Sequence, residues 1–328
     1  MNHQFPESAT IESATESALT AITTLTMNPA LDINVSVPHV MHTEKMRCGN
    51  PRYDAGGGGV NVARAIIALG GEATAIVTAG DHGGAHLLAL IEHDGIPVRA
   101  VPVRDSTRES FTATDEQNRL QYRFVLPGPR LDSSDEARCL LALEQHMLDN
   151  GYLVVSGSLP PGCSDGFFGR IAELAAHHDC RLVVDTSGPA LATVTGAYLI
   201  KPSIRELRDC VGAPLLDLAS QIAAARELIM AKVSDVVVIS LGPDGAVLVT
   251  SDESVVLPGV HLSAGNGVGA GDSMVAAITF ALDQGWELTE AVRLGTAAGA
   301  AATLTPGSQP CTREDVDRLY QRLLADIG

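Results

Sequence analysis

A carboxylate stands beside a glycine-rich turn in the segment Val268-Gly269-Ala270-Gly271-Asp272-Ser273, directly before an apolar stretch with helical spacing. Glycines at such a turn let backbone N–H groups point at one anion, and the start of a helix adds partial positive charge. Asp272 could then accept the proton of a hydroxyl group that attacks a bound phosphoryl group. Alternatively, the segment is only a structural turn, and Asp272 caps the helix.

A second segment that could do chemistry contains four successive glycines, Gly56 to Gly59, followed by Asn61 and Arg64. Such a run lets the backbone approach a ligand closely, and the amide of Asn61 can both donate to and accept from sugar hydroxyls. The segment is not a Walker A loop, because no Gly-Lys-Ser/Thr follows it. The alternative for this segment is a flexible loop without a ligand.

The charge balance limits what such sites could bind. Among the 328 residues, 39 are Asp or Glu and 22 are Lys or Arg, so the net charge is −17. A chain this acidic is a poor binder of nucleic acid, because phosphate contacts along a polyanion need Lys and Arg. An anionic ligand must therefore be small, and it must be met by a few local cations or by backbone N–H groups.

Cysteine spacing and hydropathy bear on where the protein works. The six cysteines are scattered without a C-x-x-C pair, which predicts reduced thiols instead of disulfides or a zinc site. No stretch approaches the ~18 uninterrupted apolar residues of a membrane helix, so we expect no membrane partner. The first basic residue is Lys45, which predicts no targeting peptide. We expect a cytoplasmic protein whose residues 1–20 form a disordered tail.

The elements that must position these residues alternate between strand and helix patterns. Strand Tyr152–Ser156 and helix Phe167–His177 are examples. Apolar strands alternating with helices predict an α/β fold: a mainly parallel sheet with helices on both faces. Two segments, near 32–50 and 97–126, break this rhythm and read as short exposed strands. We predict that they form a small antiparallel lid on one domain that spans residues 21–328.

The order of the motifs resembles a known family. The glycine run comes early, Ser156-Gly-Ser-Leu-Pro-Pro-Gly162 lies midway, and Gly-Ala-Gly-Asp272 comes late. This layout resembles the ribokinase-like, PfkB-type carbohydrate kinases over residues 22–325. Further segments are similar, in the same order, to the minor bacterial 6-phosphofructokinase branch of that family: Thr26-Met-Asn-Pro-Ala-Leu-Asp32, Lys45-Met-Arg-Cys48, Asp105-Ser-Thr-Arg108, Gln121-Tyr-Arg-Phe-Val125 and Ser240-Leu-Gly-Pro-Asp-Gly245.

The resemblance implies an activity and a ribokinase-like fold. The activity is ATP-dependent phosphorylation of fructose 6-phosphate at its C1 hydroxyl, a glycolytic step. Tagatose-6-phosphate kinase and 1-phosphofructokinase remain alternatives, because sugar phosphates that differ at one hydroxyl differ by few contacts. A different class of function, a non-catalytic sensor of sugar phosphate or nucleotide, also remains. The family pairs through its lids, so a homodimer through the lid is expected.

The resemblance also implies roles for individual residues. Asp272 would be the base, and Gly269, Ala270 and Gly271 would form the anion hole. The implied substrate-binding residues are Asp32, Lys45, Arg47, Gly57, Gly58, Asn61, Arg108 and Ser156. The implied nucleotide-binding residues are Lys201, Ser203, Ser240, Gly242, Gly245 and Ala300.

The implied cofactors are ATP, Mg²⁺ and, as a candidate, K⁺. Glu206 would hold Mg²⁺ through water, and the candidate K⁺ site consists of Val268, Ala302 and Gly307. The chain departs from the family at two positions. Ser203 stands where Asn is common, and a serine cannot span the same water network. Gly267 stands where Thr is common. These two departures motivate the sensor alternative.

Overall fold

The computed structural model describes residues 21–262, 267–305 and 309–325. The predicted tail at residues 1–20 and the candidate potassium ligand Gly307 lie outside the described residues.

The main sheet has nine strands in the order β13-β12-β11-β10-β9-β8-β1-β4-β5. From β5 to β11 all neighbouring strands are parallel, whereas β12 and β13 are antiparallel. Central strands such as β1 and β8 are buried along their whole length, and β8 accordingly reads as an apolar run, whereas β1 carries three buried threonines. The strands are β1 Ile22–Thr26, β4 Thr74–Ala79, β5 Val98–Pro102, β8 Tyr152–Ser156, β9 Arg181–Asp185, β10 Ala197–Ile200, β11 Ser234–Ser240, β12 Gly245–Val249 and β13 Ser254–Pro258.

Helices cover both faces of this sheet, and each face has its own apolar cluster. One cluster joins the sheet to α1, α2, α7, α8 and α9, and the other joins it to α3, α4, α5 and α6. The helices are α1 Gly58–Ala68, α2 Asp81–His93, α3 Ser133–His146, α4 Phe167–His177, α5 Ile204–Val211, α6 Leu218–Met230, α7 Ala270–Asp283, α8 Leu288–Ala302 and α9 Arg313–Ala325. Within the described ranges, no helix has the length and apolar character to cross a membrane.

A separate sheet of four strands forms the lid, in the order β3-β2-β6-β7. Its strands are β2 Ala30–Val37, β3 Arg52–Gly56, β6 Arg108–Asp115 and β7 Leu120–Val125. The outer pairs are antiparallel as predicted, but the central pair, β2 with β6, is parallel. Both central strands leave the main sheet after a parallel strand, β1 or β5, so they run in the same direction. The first strand of the 97–126 segment, β5, pairs with β4 in the main sheet instead of joining the lid.

Candidate active site

The Asp272 carboxylate is held by side chains from two other parts of the chain. Asn61 Nδ2 donates to Asp272 Oδ2 at 2.9 Å, and Ser156 Oγ donates to Asp272 Oδ1 at 3.4 Å. The N-cap residue of α7 is Gly269. The alternative in which Asp272 caps the helix is therefore wrong. The structure instead brings three predicted site residues together.

Burial is the largest influence on the Asp272 carboxyl, and it raises the pKa. The hydrogen bond from Asn61, the charge of Lys201 and the hydrogen bond from Ser156 oppose it. The position of Asp272 in the first turn of α7 predicts a pKa below the usual value, because the helix dipole favours the charged form. The structure corrects this prediction: the pKa is raised, because lost solvation outweighs the favourable contacts. A carboxylate with a raised pKa is a stronger proton acceptor when it is ionised.

The glycine turn stands at the start of α7, as predicted. Gly269 has φ 75°, in the left-handed region that side chains with a β-carbon rarely adopt. Ala270 and Gly271 follow as the first residues of the helix, where backbone N–H groups lack partners within the helix. Both residues line a cavity of about 440 Å³. The turn can therefore present N–H donors to an anion in that cavity.

A buried ion pair lies beneath this turn. Lys201 Nζ is 3.2 Å from Asp185 Oδ1, and the two side chains are 4% and 14% exposed. Burial acts to lower the pKa of Lys201, but the nearby carboxylates raise it overall. Burial raises the pKa of Asp185 to about 6, although Lys201 opposes this. Lys201 Nζ is also 3.4 Å from where a β-carbon on Gly271 would stand, so its ammonium lies next to the glycine turn.

Ser203 and Glu206 form the N-terminal cap of α5. Ser203 Oγ and the Ser203 N–H each donate to Glu206 Oε2 at 2.8 Å, and the Glu206 N–H donates to Ser203 Oγ at 3.3 Å. This is a capping box, which holds both side chains in place. Glu206 also lines a cavity of about 180 Å³ together with Ser156, Asp185 and Asp272. Serine at this position thus fixes the direction in which Glu206 points.

The lid contributes Asp32 and Arg108 to the site. Burial raises the pKa of Asp32 to about 6, while the charges of Arg108 and Arg123 oppose that shift. Arg108 Nε and Nη2 both donate to the carbonyl of Asn28, at 3.2 and 3.0 Å, and Nη1 donates to the carbonyl of Leu126 at 3.3 Å. Arg108 therefore also ties together chain segments at the root of the lid.

The glycine run packs tightly against the loop that follows β8. A β-carbon on Gly58 would stand 2.3 Å from Ser156 Oγ and 2.6 Å from the nitrogen of Gly157, so no larger residue fits there. Gly57, the N-cap residue of α1, precedes it. This contact brings Gly57, Gly58 and Asn61 to the side of the site that holds Ser156.

Lys45 and Arg47 do not join this cluster. Both lie on the exposed segment 41–51, and neither side chain bonds to another residue in the described part of the chain. The structure therefore brings together six of the eight predicted substrate-binding residues, Asp32, Gly57, Gly58, Asn61, Arg108 and Ser156, around Asp272 and the lid root.

The predicted nucleotide-binding residues fall into two groups. Ser240, Gly242, Gly245 and Ala300 line the 440 Å³ cavity, next to Ala270 and Gly271. Lys201 and Ser203 belong to the neighbouring cluster around Asp185 and Glu206. Gly267, one of the two departures from the family pattern, also lines the larger cavity, where its lack of a side chain leaves space.

Two of the three candidate potassium ligands are described. Val268 lines a small cavity on the lid side with Asp32 and Arg123. The Ala302 carbonyl accepts hydrogen bonds from Thr305, at 2.9 Å from Oγ1 and 3.3 Å from the backbone N–H. That carbonyl already has a partner. Within the described ranges, no group of three or more His, Cys, Asp or Glu residues is arranged to hold a metal ion.

Sequence reasoning missed Asp185. It ends the buried strand β9 and stands opposite Ser156 in the parallel register. An Asp at the carboxyl end of a buried parallel strand is a usable signal, because ligands of such sheets bind at that edge. The sequence also does not predict the apolar wall of the larger cavity, which is formed by Val260, Leu262 and Met274. No sequence signal distinguishes these three residues from ordinary core residues.

The arrangement can support transfer of an anionic group to a hydroxyl. Asp272 borders the 180 Å³ cavity, while the two residues before it line the 440 Å³ cavity. An anion held by the N–H groups at the mouth of the larger cavity would lie next to the carboxylate. A hydroxyl in the smaller cavity could give its proton to Asp272.

Comparison with known sequences finds relatives that are phosphoryl-transfer enzymes. The chain is 50% identical over 301 residues to the ATP-dependent 6-phosphofructokinase isozyme 2 of Mycobacterium tuberculosis, covering 92% of this chain and 89% of the relative. It is 39% identical over 308 residues to the protein of that name from Escherichia coli, covering 92% and 98%. It is also 33% identical to a 1-phosphofructokinase of Xanthomonas campestris, covering 86% and 93%.

Solved structures share the fold. Phosphofructokinase-2 from Escherichia coli in complex with potassium has a TM-score of 0.89 and 37% identity, covering 93% of this chain and 100% of that chain. Its complex with fructose-6-phosphate has a TM-score of 0.85 and 36% identity, with the same coverage. Ribokinase from Thermotoga maritima, 21% identical, has a TM-score of 0.71 over 92% of this chain and 99% of that chain, which confirms the ribokinase-like fold. The family profile described as pfkB family carbohydrate kinase matches residues 25–315, and the chain therefore belongs to the pfkB family of carbohydrate kinases.

Proposed function

We propose that this protein transfers the γ-phosphoryl group of ATP to the C1 hydroxyl of fructose 6-phosphate. The observation that carries the proposal is the position of Asp272 between two cavities, with the anion-binding turn on one side and Ser156 and Asn61 on the other. The relatives named 6-phosphofructokinase at 50% and 39% identity supply the choice of substrate.

Asp272 takes the proton of the attacking hydroxyl. The N–H groups of Ala270 and Gly271 and the ammonium of Lys201 stabilise the charge that develops on the transferred group. On the lid side, Asp32 binds sugar hydroxyls, and the remaining donors of Arg108 bind the phosphate that the sugar already carries. Asn61 and Ser156 hold the Asp272 carboxylate in line with the acceptor hydroxyl.

The oxygen-lined cavity suits Mg²⁺. Glu206 and Asp185 would hold the ion through water, because Mg²⁺ prefers oxygen ligands and keeps several waters. When bound, Mg²⁺ neutralises charge on the phosphate oxygens of ATP. The relative from Escherichia coli that was solved in complex with potassium supports a potassium site. To bind the ion, the Ala302 carbonyl would exchange its Thr305 partner for it.

We further propose a homodimer that forms through the lid. The outward face of β7 carries Leu120, Tyr122 and Phe124, all exposed, and β7 is an edge strand with unpaired backbone groups. A second lid related by twofold symmetry could cover this face.

A second candidate activity is that of 1-phosphofructokinase, which the Xanthomonas campestris relative favours. The two activities differ only in which end of the sugar carries the phosphate. They are separated by a coupled assay with ATP and a panel of fructose 6-phosphate, fructose 1-phosphate and tagatose 6-phosphate. We expect the highest kcat/KM with fructose 6-phosphate. Preference for fructose 1-phosphate would overturn that choice, and binding of ATP and sugar phosphate without turnover would favour the sensor.

A further inference from the structure

Arg64 is a mostly buried arginine that lines neither of the cavities at Asp272, yet it donates hydrogen bonds to three different parts of the chain. It lies on α1, three residues after Asn61, with 10% of its side chain exposed. Nη1 donates to Asn61 Oδ1 at 2.8 Å, Nη2 donates to the Ala55 carbonyl at 2.8 Å, and Nε donates to Asp94 Oδ2 at 3.0 Å.

We propose that Arg64 is a positioning residue for phosphoryl transfer, which acts on Asp272 by fixing the orientation of the Asn61 amide. The inference rests on the proposed role of Asp272 as the base. It does not depend on which sugar phosphate is the acceptor.

The orientation follows from donor and acceptor chemistry. A guanidinium has only donors, whereas an amide has one acceptor end and one donor end. Arg64 therefore forces the carbonyl end of Asn61 towards itself, and this turns Nδ2 towards Asp272 Oδ2 at 2.9 Å. If the amide turned over, its carbonyl oxygen would face the carboxylate, and the base would lose one of its two side-chain donors.

Arg64 also joins this amide to the root of the lid. Ala55 is the next-to-last residue of β3 and pairs in register with Leu31, one residue before Asp32. The Nη2 bond to the Ala55 carbonyl therefore fixes the strand next to Asp32 relative to α1, and α1 carries Asn61. Asp94, the C-cap residue of α2, supplies the opposite charge that keeps the buried guanidinium in place. One side chain thus sets the distance between the sugar side of the site and the base.

The test is a double-mutant cycle of Arg64→Met with Asn61→Ala, measured with the wild-type protein, ATP and the best hexose phosphate of the panel. We expect Arg64→Met to lower kcat by about 10²-fold, as a misplaced reacting group does, while the KM for ATP changes by less than about twofold. In the Asn61→Ala background, Arg64→Met should lower kcat much less than in the wild-type background. The amide is then absent, and only the charge of Arg64, which favours the ionised form of Asp272, is still lost.

Arg313→Met is the matched control. Arg313 also bonds a backbone carbonyl of this helix region, that of Leu69 at 2.5 Å, but at the end remote from Asp272. We expect it to change the melting temperature and leave kcat unchanged. If Arg64→Met does not fold, Arg64→Leu, which also has no donor for Asn61 Oδ1, enters the same cycle.

Two results would overturn the inference: kcat within about twofold of wild type, or fully additive losses in the cycle. Both differ from failure of the proposed function, in which the wild-type protein itself would turn over no hexose phosphate.

Discussion

The Asp272 carboxylate combines burial with two hydrogen-bond donors, and this combination makes its chemistry testable with one substitution. Asp272→Asn keeps the size of the side chain but cannot accept a proton. We expect kcat to fall by about 10²–10⁴-fold, the contribution of a general base, while the affinities for ATP and sugar phosphate change far less. Isothermal titration beside a steady-state assay measures both. Near-normal turnover would remove the base assignment, and loss of binding would make Asp272 structural.

Asp32 gives a prediction about stability. Because burial raises its pKa to about 6, the folded protein binds a proton here more readily than the unfolded chain does. The resulting stabilisation is present at low pH and is lost as the pH rises through about 6. Asp32→Asn removes the ionisable group, so the variant does not lose stability from ionisation of this side chain as the pH rises. It should raise the free energy of unfolding at pH 7.5 by on the order of 1–3 kcal/mol, and by much less near pH 4.5.

Urea titrations at the two pH values measure this difference. Asp252→Asn, at an exposed carboxylate in the turn between β12 and β13, is the control and should change neither value. An Asp32→Asn protein that is less stable than wild type at pH 7.5 would show that the charged form of Asp32 stabilises the fold through its contact with Arg108.

The sequence predicts Asp272, Asn61 and Ser156 because their motifs stand next to glycines. It does not predict Asp185, whose contacts arise only when β9 pairs with β8 and Lys201 folds beneath α7. Likewise, the two roles of Ser203 could not be separated by sequence. The spacing from Ser203 to Glu206 fits a metal-site motif and a capping box equally, and the structure uses the capping box.

The hydrophobic pattern predicts the bounds of long periodic segments better than the pairing of the short lid strands. Strand β8 and helix α4 have the bounds that the hydrophobic pattern predicts, because each buries a regular apolar face. The lid strands are only partly buried, so their pairing depends on where the chain leaves the main sheet. The pattern alone could not predict the parallel pairing of β2 and β6, or the place of β5 in the main sheet.

Arg108 connects two segments of the chain, because it donates hydrogen bonds to the carbonyls of Asn28 and Leu126 at the root of the lid. Arg108→Ala removes the proposed partner of the substrate phosphate and also removes the bonds that tie these segments together. We expect sugar-phosphate binding to weaken by about 2–5 kcal/mol, while ATP binding changes much less. Fructose without a phosphate should lose less affinity than fructose 6-phosphate.

Titration calorimetry with ATP and with fructose 6-phosphate measures the two affinities. Arg104→Ala, at an exposed arginine in the connection before β6, is the control. Equal losses of ATP and sugar-phosphate affinity would mean that Arg108 has a structural role only.

The lid leaves an apolar surface that a single chain does not cover. The apolar face of the lid packs against α2 at β3, where Tyr53 meets His86 with ring centroids 5.1 Å apart. On β7 the same face has no helix over it: Phe124 is 57% exposed and Leu120 is 53% exposed. An exposed apolar patch on an edge strand favours association, and a twofold axis would let each lid cover the other.

We therefore expect light scattering at micromolar concentration to report twice the chain mass of 34.2 kDa. Phe124→Asp places a charge within the patch, where burial in an interface would desolvate it, so this variant should be a monomer. Leu216→Asp is the matched control: Leu216 is 84% exposed between α5 and α6, away from the lid, and its substitution should leave the mass unchanged. Circular dichroism must show that both variants are folded, because Phe124 also contacts the Phe111 ring. A wild-type protein that is monomeric and fully active, or a folded Phe124→Asp variant that still dimerises, would exclude the lid as the interface.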